Sequence, residues 1–136
     1  PLGFVIKGKD ETILYMTDTG YVSQKNMEYI KNLDYYIFES NHDIEMLMNT
    51  RRPLFLKNRI FGDKGHLNNE YSAHVMAQVI GENTKEICLA HLSQEANTKE
   101  MALDTYQRVF DEEHIYFDNI KIADQKEIVS GGHYEN

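Results

Sequence analysis

The chain has 136 residues, 41% of them hydrophobic and 26% charged, with a formal net charge of −8. That size and apolar content suit one domain with a real core and exclude wholesale disorder, while the acidic balance speaks against a general nucleic-acid-binding surface. A single cysteine, Cys88, excludes a disulfide framework and suits a reducing, cytoplasmic compartment; no apolar run approaches the roughly 20 residues of a membrane span, and no signal-peptide pattern opens the chain.

The first apolar run, Gly3-Phe4-Val5-Ile6-Lys7, is broken by Gly8-Lys9-Asp10 and resumed by Thr12-Ile13-Leu14-Tyr15-Met16, which predicts a hairpin. Thr17-Asp18-Thr19-Gly20 closes the second strand with turn residues. Ser23 can cap a helix to about residue 31, with Met27 and Ile30 buried. The short apolar run 34–39 predicts a strand covered on both faces, followed by a short helix over 44–48 and another after Pro53, to about residue 59.

Asn68 or Asn69 caps a helix to residue 80, with Ser72, Met76, Val79 and Ile80 on one face and Gly81 ending it. Residues 86–90 form a second buried strand. Thr98 caps a helix to about residue 111, with Met101, Thr105 and Val109 inward. Two short strands, 119–123 and 127–129, precede a tail that frays from Gly131. Strands alternating with helices predict an α/β layered fold in one domain.

Three of these strands lead into residues capable of chemistry: Asp18, Glu39 and His91. In α/β sheets, sites gather at the carboxyl ends of strands, so the three endings point to one shared site. Each residue also has a plainer role. Asp18 suits an Asx-turn, and the segment Glu39-Ser40-Asn41-His42-Asp43 suits helix capping through Asn41 or Asp43. His66, in Gly65-His66-Leu67-Asn68-Asn69, can donate a proton or simply sit in a loop before a helix. His91, in Leu89-Ala90-His91-Leu92-Ser93, can be a ligand or a satisfied core histidine. His42 reads as an orienting or surface residue; His74, His114 and His133 read as surface residues, and Cys88 as a buried, inert thiol. Residues 51–64 hold five basic side chains against one acidic one in an otherwise acidic chain. That suits an anionic substrate or, equally, basic side chains lying over apolar surface.

Taken in order, these motifs resemble the second half of a metallo-β-lactamase-fold hydrolase, and most closely the YycJ (WalJ) branch of bacterial cytoplasmic proteins. The matching patterns are Thr17-Asp18-Thr19-Gly20, Glu39-Ser40-Asn41-His42-Asp43, Leu56-Lys57-Asn58-Arg59-Ile60-Phe61-Gly62 before Gly65-His66, and His91-Leu92-Ser93 with Asn97. The match runs from about residue 3 to 106 and departs at Asn68, where the pattern usually has Ser. The resemblance implies half of a four-layer αββα sandwich with a two-metal site between its sheets. It implies a bridging carboxylate from Asp18 and the last histidine ligand from His91. From tRNase Z relatives it implies His66 as proton donor near the leaving group, with Glu39 orienting it. The ions would be Zn, Mn or Fe, clamping phosphoryl oxygens and generating a hydroxide nucleophile for phosphodiester cleavage in nucleic acid.

The HxHxDH motif of that family is absent from the sequence. Asp18 and His91 alone are too few for a tight Zn site. The expectation is therefore the carboxyl-terminal half of a longer metallohydrolase, with an incomplete metal site and no activity alone, completed by an amino-terminal half or a self-pairing chain. The competing expectation is a non-catalytic module that pairs through an exposed sheet face. A metal-free acid–base hydrolase using Glu39 and His66 comes third.

Overall fold

A computed structural model describes residues 2–17, 21–50 and 66–123. β1 (Leu2–Lys7) and β2 (Thr12–Thr17) form the expected antiparallel hairpin, closed by the Gly8 N–H on the Glu11 carbonyl at 2.7 Å. α1 (Gln24–Tyr29) starts at Ser23, whose side chain accepts from the Asn26 N–H. It ends short of residue 31, just before the chain turns left-handed at Asn32, with φ 55°. β3 (Tyr35–Glu39) leads to α2 (Ile44–Met48), capped by Asp43. α3 (Asn69–Val79) is capped by Asn68, β4 spans Glu86–Ala90, α4 (Lys99–Glu112) is capped by Thr98, and β5 spans Ile120–Ile122. Each cap side chain satisfies an amide of the first turn that has no partner within the helix.

The strands form one mixed sheet in the order β1-β2-β3-β4-β5, with β2 to β5 parallel. Leu14, Tyr36, Phe38, Ile87 and Leu89 project to one face. There they meet Met27 of α1, Met76 and Val79 of α3, and Tyr106, Val109 and Phe110 of α4 in a single buried cluster. Burial of each such side chain stabilises by about 1.5–3 kcal/mol, so this face holds the layers together. Tyr36 anchors it further: burial pushes its phenol up to about 12, and its hydroxyl donates to the Ile30 carbonyl.

Two expectations need correction. The inward stripe of α4 is Ala102, Tyr106, Val109 and Phe110, whereas Met101 and Thr105 are only half-buried. The reason is that Tyr106 and Phe110 carry more apolar area at i, i+4 spacing than Met101 and Thr105. On the second face of the sheet, Ile37 and Cys88 are only partly buried, so β3 and β4 are not fully covered on both sides. Further out on that face Phe4 stacks on Tyr15 at 5.3 Å, and Phe4 and Ile6 are 48% and 50% exposed. The helix expected after Pro53, the basic stretch 51–64, the turn at Asp18, the strand at 127–129, the tail and His133 lie outside the described residues.

Burial, with help from the Glu86 charge, pushes the Cys88 thiol above its ordinary value of 9.0. The thiolate is the reactive form, so alkylation of Cys88 should be slower at neutral pH than that of a free thiol. Its rate should keep rising with pH beyond the point where a free thiol levels off. A mass-spectrometric alkylation time course checks this, and a rate equal to that of a free thiol at neutral pH would contradict it.

Candidate metal centre

Glu39 is the last residue of β3 and pairs in register with Ala90, the last of β4, so His91 leaves its strand beside Glu39. The Glu39 side chain is 0% exposed, a setting in which a carboxylate needs several donors. It has them. Its Oε2 lies 3.0 Å from His66 Nδ1 and accepts the Leu67 N–H at 3.0 Å; its Oε1 lies 3.0 Å from His91 Nδ1. An ionised carboxylate only accepts, so in these two bonds the Nδ1–H of each histidine is the donor and Nε2 points away from Glu39. The two rings meet edge to face, with centroids 5.0 Å apart. They are partly open to solvent, at 31% and 41% side-chain exposure for His66 and His91.

One carboxylate therefore holds two imidazoles. The family resemblance pairs Glu39 with His66; the geometry adds His91 on equal terms. The donor atoms of Glu39, His66 and His91 lie within 4.8 Å of one another, close enough for one ion. The hydrogen bonds favour a different division of labour. A carboxylate that accepts from Nδ1 of a histidine fixes its tautomer and turns Nε2 outward as a ligand, the usual support of metal-binding histidines. The donor set thus fits a divalent ion of borderline character, with an imidazole Nε2 as the ligand atom this part of the chain can offer and Glu39 behind it. Asp18 lies outside the described residues, but β2 ends one residue before it, at Thr17, and Met16 pairs in register with Phe38. The end of β2 therefore stands level with Glu39.

Why these loops converge is written in four consecutive buried polar residues, Glu39, Ser40, Asn41 and His42. Polar groups are buried only when bonded. The Ser40 hydroxyl donates to Asn69 Oδ1 at 2.6 Å, and Asn69 Nδ2 donates to Asn97 Oδ1 at 2.8 Å. Asn97 Nδ2 returns to the carbonyls of Ser40 and Asn41 at 3.0 and 3.1 Å. The Asn41 N–H donates to the Leu67 carbonyl, and the Asn69 N–H to the His42 carbonyl, each at 2.8 Å. From below, the Ser72 hydroxyl donates to the Glu39 carbonyl at 2.6 Å and bonds Tyr106, whose phenol burial pushes far above its ordinary value. The loops after β3, before α3 and after β4 are thereby tied into one polar knot beneath the histidines.

His91 has φ 61°, in the left-handed region that non-glycine residues adopt at a cost of about 1–3 kcal/mol. His42 is buried, not at the surface, with Nδ1 3.2 Å from Asn41 Oδ1. His74 faces Glu113 at 3.7 Å, half-buried, and His114 is exposed. Asn41, Asn69 and Asn97 were not singled out as site residues from sequence. Their signal was faint: asparagines in Glu39-Ser40-Asn41-His42-Asp43, after His66, and after His91-Leu92-Ser93.

No family model matches the chain. It is 43% identical over 112 residues to Exodeoxyribonuclease YycJ of Bacillus anthracis, covering 82% of this chain and 42% of that protein. It is 45% identical over 93 residues to Exodeoxyribonuclease WalJ of Streptococcus pneumoniae, covering 68% and 35%. The chain thus spans about two fifths of the length of the curated relatives it matches. Among solved structures, a diphosphatase from the PhnP family aligns over 82% of this chain and 32% of its own, at 14% identity and a TM-score of 0.46.

Proposed function

From the kinship of this chain with the YycJ and WalJ exodeoxyribonucleases over as much as 82% of its length, we propose that it carries part of the site of a metal-dependent phosphodiesterase acting on nucleic acid. In this reading residues 1–136 are the carboxyl-terminal half of one metallo-β-lactamase-type αββα domain, in a cytoplasmic bacterial protein. The observation that carries it is Glu39 holding two imidazoles by their Nδ1 atoms.

His91 and Asp18 would hold divalent ions, Zn, Mn or Fe. When bound, the ions supply Lewis acidity and lower the pKa of water. His66 delivers a proton from Nε2 to the leaving oxygen, and Glu39 stabilises the imidazolium and keeps the ring aimed. The basic stretch 51–64 favours approach of an anionic strand.

Two variants of the full natural chain test the division of roles. His91→Ala should lose metal, read by emission spectroscopy, and activity together. His66→Ala should slow DNA hydrolysis by about 100-fold with metal retained. Loss of metal from His66→Ala would make His66 a ligand, and full activity in both variants would overturn the reading. The half-exposed apolar face around Phe4, Ile6 and Tyr15 supports a second element of the proposal, a docking face for the other layers of the sandwich or for another copy. Its occupant completes the site.

A further inference from the structure

We propose that Asn41 is a positioning residue for His91: its side-chain amide holds the His91 backbone in the left-handed conformation that turns the imidazole onto Glu39. Asn41 Nδ2 donates to the His91 carbonyl at 2.8 Å, and the Asn41 carbonyl accepts the Ser93 N–H at 2.7 Å, so Asn41 grips the chain at His91 and two residues beyond. A histidine at φ 61° persists only where its surroundings over-determine it. Asn41 is itself held firmly. It is buried, its N–H donates to the Leu67 carbonyl at 2.8 Å, and its carbonyl also accepts from Asn97 Nδ2 at 3.1 Å.

The two histidines on Glu39 are therefore supported differently. Asn41 reaches His91 through a side-chain bond to the His91 carbonyl. It reaches the His66 segment through a backbone bond to Leu67, which survives any change of the Asn41 side chain. Nothing in the established hydrogen-bonding capacity of alanine or aspartate can replace the lost donor to His91.

The metal consequence rests on the site reading above; the tautomer consequence does not. The test uses the metal-free full natural chain with ¹⁵N-labelled histidine at about pH 8.5, where free imidazole is neutral. In the wild type, long-range ¹H–¹⁵N spectra should give the Nδ1–H tautomer for both His66 and His91. In Asn41→Ala, His91 should revert to the mixed tautomers of a free imidazole while His66 keeps its Nδ1–H signature. Asn41→Asp keeps the size and the Oδ1 facing His42 but cannot donate to the His91 carbonyl, so it should behave alike and serves if the alanine variant folds poorly. His91 keeping its Nδ1–H form would overturn the proposal. So would His66 and His91 losing it together, which is what general loosening of the fold produces. In parallel, chelator competition with Zn²⁺ should find affinity lowered about tenfold or more in either variant. A wild-type chain that takes up no Zn²⁺ would overturn the site reading, and the tautomer spectra would still decide the role of Asn41.

Discussion

Glu39→Gln should lower DNA hydrolysis by the full natural chain by about 100-fold or more, and weaken metal binding by about 10- to 100-fold. The substitution preserves shape and removes charge, so the cause is electronic. Glutamine offers one acceptor oxygen and one NH₂ donor where the carboxylate offered two acceptor oxygens. In the present geometry Oε2 serves His66 Nδ1 and the Leu67 N–H, and Oε1 serves His91 Nδ1. Whichever way the amide is turned, an N–H faces an N–H on one side. One imidazole must then flip its tautomer or swing away, and its Nε2 is no longer placed to bind a metal or to carry a proton to a leaving oxygen. Steady-state hydrolysis together with metal content checks this. Turnover within a few-fold of wild type at full metal content would mean that Glu39 is only a buried structural carboxylate. Glu39→Ala adds a stability loss of several kcal/mol, because hydrogen bonds to a charged acceptor contribute about 1.5–3 kcal/mol each. For that reason the glutamine variant is the cleaner probe.

Asn97→Ala should destabilise folding by about 3–5 kcal/mol, the largest loss expected from any of the three asparagines in the network. Its amide donates to the Ser40 and Asn41 carbonyls and to Asn69 Oδ1, and its Oδ1 accepts from Asn69 Nδ2 and the Thr98 N–H. Asn97 is buried, so truncation leaves the Ser40 carbonyl and Asn69 Nδ2 each short of a partner; each such group costs about 1–3 kcal/mol. The Thr98 N–H also loses its acceptor at the start of α4, which weakens that helix where it begins. Urea unfolding at an unchanged m-value measures the effect. A shift in ΔG below about 1 kcal/mol would mean that water or a rearranged Asn69 restores the network. Asn97→Asp keeps the two bonds to Oδ1 and forfeits those from Nδ2, so it should lie between wild type and alanine.

The α/β alternation, the hairpin, the caps Ser23 and Thr98, a choice of two residues for each of the other caps, and most element limits were legible in the sequence because they depend on local chemistry. A capping side chain bonds its own first turn, and a β-branched run bounded by turn residues has few other options. The rotation of α4 was not legible. Met101, Thr105 and Val109 make an acceptable stripe by spacing, but it is the neighbouring stripe of Ala102, Tyr106 and Phe110 that joins Val109 in the buried cluster. That choice depends on the surface opposite, which the helix sequence does not contain.

The site divides in the same way. Strand ends carrying Glu39 and His91, and a histidine at 66 just before a helix, were evident as isolated features, and their order matched a known family. That Glu39 would hold His91 as well as His66 was not evident. It follows from the in-register pairing of Glu39 with Ala90, which sets the two histidines on either side of one carboxylate. Nor could spacing alone tell that Asn41, Asn69 and Asn97 are buried and bonded to one another across about 56 residues of chain; an asparagine in a loop is usually solvated. By itself the sequence determined which residue types stand at the strand ends, because local propensity and burial pattern act over a few residues. Only the tertiary structure decided which of them share partners, because a buried carboxylate or amide must find its hydrogen bonds wherever the packed chain brings them.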